Sequence, residues 1–170
     1  RARCSVIKDG GDDPDVTHGA EIVVDLELTQ KPNSIEIDGG EGVGRVTKPG
    51  IGLEIGQAAI NPTPRKMIIE NLTEVGKEIL EKNGIKVIIS VPKGKELGPK
   101  TDNPRIGIVD GISILGTSGI VMPYSTASFA AAIRQQLDVV LSMGDDTVVL
   151  TTGGRSEDFA RKIFDLPDHS

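Results

Sequence analysis

The feature that most constrains this chain is the stretch Ile37-Asp38-Gly39-Gly40-Glu41-Gly42-Val43-Gly44-Arg45-Val46-Thr47-Lys48-Pro49-Gly50, with Gly52 just beyond. Each glycine forgoes side-chain packing and costs extra backbone entropy when it is ordered. A run of this kind therefore belongs neither to a helix nor to a strand interior. It suits a backbone that turns sharply or lies close against something else. Gly42-x-Gly44-x-x-Thr47 imitates a dinucleotide fingerprint, and a strand-like segment precedes it. That fingerprint needs a helix to open at once, so that its amides meet a pyrophosphate. Lys48-Pro49-Gly50 breaks the chain there and the third glycine is missing, so the dinucleotide reading fails. A turn packed under a sheet and a ligand-contacting loop both remain open. Arg45 and Lys48 tilt the balance toward an anionic ligand.

Around this stretch the chain reads as α/β. Cys4–Ile7 makes a short strand, followed by the loop Lys8-Asp9-Gly10-Gly11-Asp12-Asp13-Pro14-Asp15. Ile22, Val24, Leu26 and Leu28 alternate with Glu21, Asp25 and Glu27, the pattern of a half-buried strand. Ile35 and Ile37 mark the next. Thr63 as N-cap and Pro64 at the first position open a helix. Its stripe is Ile68, Leu72, Val75 and Ile79, and Asn83-Gly84 ends it. Ile85, Val87, Ile89 and Val91 form a further strand. Pro92–Pro104, with three prolines and two glycines in thirteen residues, reads as a linker. Beyond it, Ile112–Leu115 reads as a buried strand and Gly116-Thr117-Ser118-Gly119 as a tight loop. Ser125 caps a helix with the stripe Phe129, Ile133, Leu137 and Val140. Thr147–Leu150 is a strand, and Ser156 caps a last helix. Strand, glycine loop and helix in alternation predict a doubly wound parallel sheet. We therefore expect two domains, an N-terminal α/β domain with a mixed sheet (1–98) and a Rossmann-like domain (99–170), the latter incomplete.

Composition excludes several functions. Aromatic residues are 2% of the chain, with no Trp, which leaves no stacking platform for single-stranded nucleic acid. The formal net charge of -6 offers no field to steer a phosphate backbone. No apolar run reaches the length of a membrane span. The single cysteine, Cys4, suits a reducing cytoplasm. Both ends look cut, as in part of a larger chain, and a homo-oligomer is compatible with the sequence.

Three further stretches carry candidate chemistry. Asp9–His18 is rich in carboxylates. Counted as a calcium loop from Asp13, however, it puts His18 where Gly belongs and Val24 where a bidentate Glu belongs. With two histidines and one cysteine in all, a tetrahedral zinc site would need carboxylates too. A turn capping its own amides is the favoured reading, and no metal is expected. Arg65 and Lys66 sit in a helix's first turn, where the macrodipole disfavours cations unless an anion or acidic loop is near. Gly116–Gly119 follows a strand and leads to a helix, the usual place for a ligand in an open parallel sheet. No Walker lysine follows it, and no nucleophile–base spacing stands out.

These runs together resemble the CbiD family, the cobalt-precorrin-5B C(1)-methyltransferases of anaerobic cobalamin biosynthesis. The resemblance is carried by Val6–Gly19, Ile35–Gly50, Ala59–Arg65, Asn103–Ile108 and Ile112–Val121, five runs in the family's order. It implies methyl transfer from S-adenosylmethionine to carbon 1 of a cobalt corrinoid, with cobalt present only as part of the substrate. It also implies a two-domain α/β fold. On this reading Gly116, Thr117, Ser118 and Gly119 hold the donor. The flat polycarboxylate substrate meets Gly42, Gly44, Arg45, Lys48 and Arg65, while Asp12, Asp13 and His18 orient its rim. No catalytic residue is assigned. The rival readings are a non-catalytic module that binds a small anion, and a hydrolase or transferase acting on a nucleotide-like substrate.

Overall fold

The computed structural model describes residues 1–116 and 122–164. Six strands and five helices follow in the order β1 (Ala2–Ile7), β2 (Glu21–Thr29), β3 (Ile35–Gly39), β4 (Arg45–Val46), α1 (Pro62–Val75), α2 (Lys77–Leu80), β5 (Gly84–Ser90), α3 (Gly94–Leu97), β6 (Ile108–Val109), α4 (Thr126–Ser142) and α5 (Arg155–Phe164). A 3-10 turn, Gly98–Lys100, follows α3. The main sheet is mixed, in the order β1-β2-β5-β3. Strands β1 and β5 lie antiparallel to β2, and β3 lies parallel to β5.

The apolar alternation of β5 does what its sequence suggests: Ile85, Val87, Ile89 and the following Val91 are all buried. In β2, Ile22, Val24 and Leu26 pack partly buried against this core. The most buried residue of that strand is nevertheless Val23, on the face shared with Glu21 and Asp25.

The helix between the glycine stretch and β5 differs from expectation. Helix α1 begins at Pro62 with Asn61 as its cap, and the Asn61 side chain makes no capping hydrogen bond. Pro62 supplies the preset φ and the missing N–H that suit a first helical position. The helix stops at Gly76, where an added Cβ would stand 2.6 Å from the Leu72 carbonyl oxygen. Helix α2 then restarts out of phase, so Leu80 enters the core while Val75 (81% exposed) and Ile79 face outward.

A second apolar cluster gathers Val46, Ile51, Ala59, Ile106, Ile108 and Val139. It is separate from the first, and the neighbours Ala58 and Ala59 serve different clusters. Helix α4 is capped as expected, with Ser125 Oγ accepting from the Ser128 N–H at 3.2 Å. It docks through Val139 and not through Phe129 and Ile133, which are exposed. Its backbone at Asp138 passes so close to Gly50 that a Cβ there would sit 2.5 Å from the Asp138 carbonyl oxygen.

Of Ile112–Leu115, Ile112 and Ile114 make single parallel bridges to Val43 and Ile60, and Leu115 is exposed. Thr147–Leu150 forms no strand, and Val148 and Leu150 are exposed. A strand needs a neighbour to satisfy its amides, and this segment has none among the described residues. Helix α5 starts at Arg155. Ser156 is its second residue and donates from Oγ to the Gly153 carbonyl. Arg105, which follows the Pro92–Pro104 segment, ties α5 to that distant part of the chain, donating to Glu157 at 2.5 Å.

Candidate functional site

The glycine stretch finds its close partner inside the chain. Gly42 and Gly44 are buried. Ile112 N–H donates to the Gly42 carbonyl (3.0 Å), and Gly44 N–H donates to the Ile112 carbonyl (2.8 Å). On the other side Ala59 N–H donates to the Gly44 carbonyl (2.8 Å). A Cβ on Gly42 would overlap the Val91 carbonyl, and one on Gly94 or Gly111 would overlap the Gly42 carbonyl. Three glycines from three segments therefore pack backbone to backbone. The Pro92–Pro104 segment takes part in this packing: Gly94 and Gly98 are buried, and so is Asn103. Asn103 donates from Nδ2 to the Gly111 carbonyl (3.3 Å) and accepts from Ser113 Oγ (3.1 Å). Nothing in the sequence alone singles out Asn103, because its partners lie eight and ten residues away in an irregular loop.

The cations near this stretch also bond the chain itself. Arg45 forms an ion pair with Asp38 at 2.8 Å and donates to the Gly39 carbonyl at 2.6 Å. Arg65 reaches back from the first turn of α1, donating to the Ile60 carbonyl (2.9 Å) and the Ile37 carbonyl (2.8 Å). A cation in that first turn is thereby compensated by carbonyl dipoles and by Asp38, whose carboxylate feels Arg65's charge. Partial burial alone would raise the Asp38 pKa. Hydrogen bonds from Arg45 and the Gly39 N–H, with the charges of Arg45 and Arg65, outweigh that and hold it below its ordinary value. Lys48 donates to the Arg105 carbonyl at 3.1 Å.

The acidic loop is built by its own side chains. Lys8 Nζ pairs with Asp15 and donates to Thr17 Oγ1 at 2.5 Å. Asp15 Oδ1 accepts from both the N–H and the hydroxyl of Thr17, each at 2.7 Å. Desolvation raises the Asp15 pKa, but these hydrogen bonds outweigh it and the net shift is downward. His18 Nδ1 accepts from the Gly10 N–H at 3.0 Å. Asp12 and His18 are exposed and Asp13 is half-buried. Asp13 Oδ1 accepts from the Tyr124 N–H at 3.2 Å, joining this loop to the entry of α4.

The geometry therefore gathers two groups, the acidic loop with Tyr124 and the Asp38–Arg45–Arg65 cluster. Among the described residues, no hydrogen bond or ion pair joins the two groups. Gly116 stands at the end of the Ile112–Leu115 segment, and among the described residues a Cβ there would meet nothing within 4 Å. Thr117, Ser118 and Gly119 lie outside the described residues.

The model of the CbiD family matches residues 1–123. The chain belongs to the CbiD family. It is 54% identical over 169 residues to the cobalt-precorrin-5B C(1)-methyltransferase of Geobacillus sp. (strain WCH70), covering 99% of this chain and 46% of that protein. The protein of the same name from Leptospira interrogans serogroup Icterohaemorrhagiae serovar Lai (strain 56601) is 56% identical over 164 residues, 95% of this chain and 44% of the relative. The 1.9 Å crystal structure of a cobalamin biosynthesis protein (cbiD) from Archaeoglobus fulgidus aligns with a TM-score of 0.56 at 30% identity. It covers 96% of this chain and 51% of that one. The chain thus spans about half the length of the curated relatives it matches.

Proposed function

We propose that this protein transfers a methyl group from S-adenosylmethionine to carbon 1 of cobalt-precorrin-5B, giving cobalt-precorrin-6A in anaerobic cobalamin biosynthesis. One observation carries this reading. Identity of 54% to a relative of that name extends over 99% of the chain, so it takes in the acidic loop, the glycine stretch and the entry to α4 alike. Because the chain is about half as long as those relatives, the activity is assigned to the protein as a whole.

S-adenosylmethionine, when bound, supplies a sulfonium-borne methyl that a ring carbon takes as the C–S bond breaks and its electron pair stays on sulfur. The chain's own contribution is positional. The buried Gly42–Gly94–Gly111 contact fixes Val43 and Ile112 side by side, so the segment leading to Gly116 is held rigidly, as near-attack alignment demands. Gly116–Gly119 is the proposed donor loop, and among the described residues nothing crowds a Cβ position at Gly116. Asp12, Asp13 and His18 form a pre-set polar rim, since Lys8, Asp15 and Thr17 fix the loop that bears them. On the substrate side, Arg45, Lys48 and Arg65 act first by holding the backbone; the remaining guanidinium N–H groups of Arg45 and Arg65 are proposed to meet carboxylate arms. A second, Rossmann-like part from about residue 99 belongs to this proposal, and the bridges of Ile112 and Ile114 to Val43 and Ile60 join its start to the first part. A cytoplasmic location goes with this reading. Among the described residues, no helix is long and apolar enough to cross a membrane.

The test is a melting experiment on the full-length protein with S-adenosylhomocysteine, followed by a methyl-transfer assay on the cobalt corrinoid. Ligand at about 100 times its Kd should stabilise by about 2.7 kcal/mol. A shift with phosphate or nucleotides alone, and no transfer, would overturn the reading.

A further inference from the structure

Tyr124 stands in a conformation that its own chain does not account for. It has φ 54°, in the left-handed region where a bulky side chain is a genuine outlier. It follows Pro123 in the turn that leads into α4. In a turn with Pro at the second position, a positive φ at the third favours Gly or Asn. Tyr124 instead places there the chain's single tyrosine, 78% exposed.

Three structural explanations fail in turn. The hydrogen bond to Asp13 uses the Tyr124 backbone N–H, which glycine or asparagine would supply equally well. The cap of α4 belongs to Ser125, through its bond to the Ser128 N–H. Burial among the described residues does not offset the strain either, because the residue is 78% exposed there. What remains unexplained is the ring itself. Strained residues of this kind cluster where a ligand is held, and an exposed aromatic ring is a stacking surface for any flat π system.

We propose that Tyr124 is a ligand-contacting residue, presenting its ring to the flat conjugated face of a bound ligand. The proposal rests on the methyltransferase reading, which offers two such faces, the adenine of the donor and the conjugated macrocycle of the acceptor. Asp13 acts here as a positioning residue: it holds the Tyr124 backbone, and the Lys8–Asp15–Thr17 contacts hold the loop that carries Asp13.

The experiment compares Tyr124→Gly, Tyr124→Asn and Tyr124→Phe in the full-length protein. It measures the melting temperature without ligand, then the affinities for S-adenosylhomocysteine and for a cobalt corrinoid in separate titrations. The expected result is opposite signs. The Gly and Asn variants melt at or above the wild-type temperature, because the strain is relieved, yet bind one of the two ligands about tenfold or more weakly. Tyr124→Phe keeps that affinity within about threefold, because the ring face is retained. The ligand whose affinity falls identifies which flat face the ring meets. Affinities for both ligands unchanged in Tyr124→Gly would overturn the proposal and leave the methyltransferase reading standing. Wild-type protein that binds neither ligand would overturn both.

Discussion

Gly42 and Gly94 touch backbone to backbone, so that a Cβ on Gly94 would overlap the Gly42 carbonyl. The carbonyl of Gly42 is also the acceptor for the Ile112 N–H. One peptide group therefore locks the glycine stretch to α3 and to the segment leading to Gly116.

Gly94→Ala should destabilise the protein by roughly 3 kcal/mol or more, since neither backbone can yield without breaking its hydrogen bonds. Gly52, unlike Gly94, has positive φ, but nothing lies within 4 Å of its Cβ position. Gly52→Ala should therefore cost only about 1 kcal/mol, from strain alone. Urea unfolding of the two variants side by side checks the contrast, and equal losses would refute the close-packing account.

Arg65 bonds two carbonyls on separate segments, those of Ile37 and Ile60. Arg65→Ala should lower stability by about 2 kcal/mol, because both acceptors lose a charged donor. Arg65→Lys should recover only part of this, since an ammonium does not reproduce the guanidinium fork. Thermal melts of the ligand-free protein provide the measurement. An unchanged melt with weakened corrinoid affinity would instead assign Arg65 wholly to the substrate.

Asp38 and Asp15 both titrate below the ordinary carboxylate value of 3.8. A carboxylate with a depressed native pKa adds stability above its unfolded value. That stability is lost as pH falls through the native value, when the proton breaks the pairing. Unfolding free energy should therefore drop on acidification below about pH 4. Asp38→Asn should lie lower near neutrality and flatten that acid limb. An acid limb of wild-type steepness in the Asp38→Asn, Asp15→Asn double variant would contradict the assignment.

The acidic loop hangs on Lys8, Asp15 and Thr17. Thr17 is buried, and its hydroxyl bridges the other two. Thr17→Val should cost about 1–2 kcal/mol, and amide exchange should accelerate at Gly10 and Gly19, whose N–H groups bond within this loop or to its stem. Exchange unchanged at these two amides would show that the loop is fixed by other contacts.

The sequence by itself determined the elements whose signal is local. Period-two alternation specified β2 and β5, because side chains on a strand face opposite sides whatever the partner. Ser125 specified the start of α4, because an N-cap needs only the three residues that follow it. The five family runs were equally legible, and with them the family. Tertiary structure alone decided what depends on meetings across the chain. The glycine stretch reads equally as ligand surface or packed turn until Gly94 and Gly111 are brought against Gly42. The cations Arg45 and Arg65 look free until the carbonyls of Gly39, Ile37 and Ile60 lie within reach. Which face of α4 is buried followed from the approach of Gly50, not from the stripe of Phe129 and Ile133. The joining of Asp13 to Tyr124 spans 111 residues, and no local pattern encodes it. Local propensity acts over a turn or a strand, whereas backbone close approach and hydrogen bonding between loops exist only once the two cores have formed.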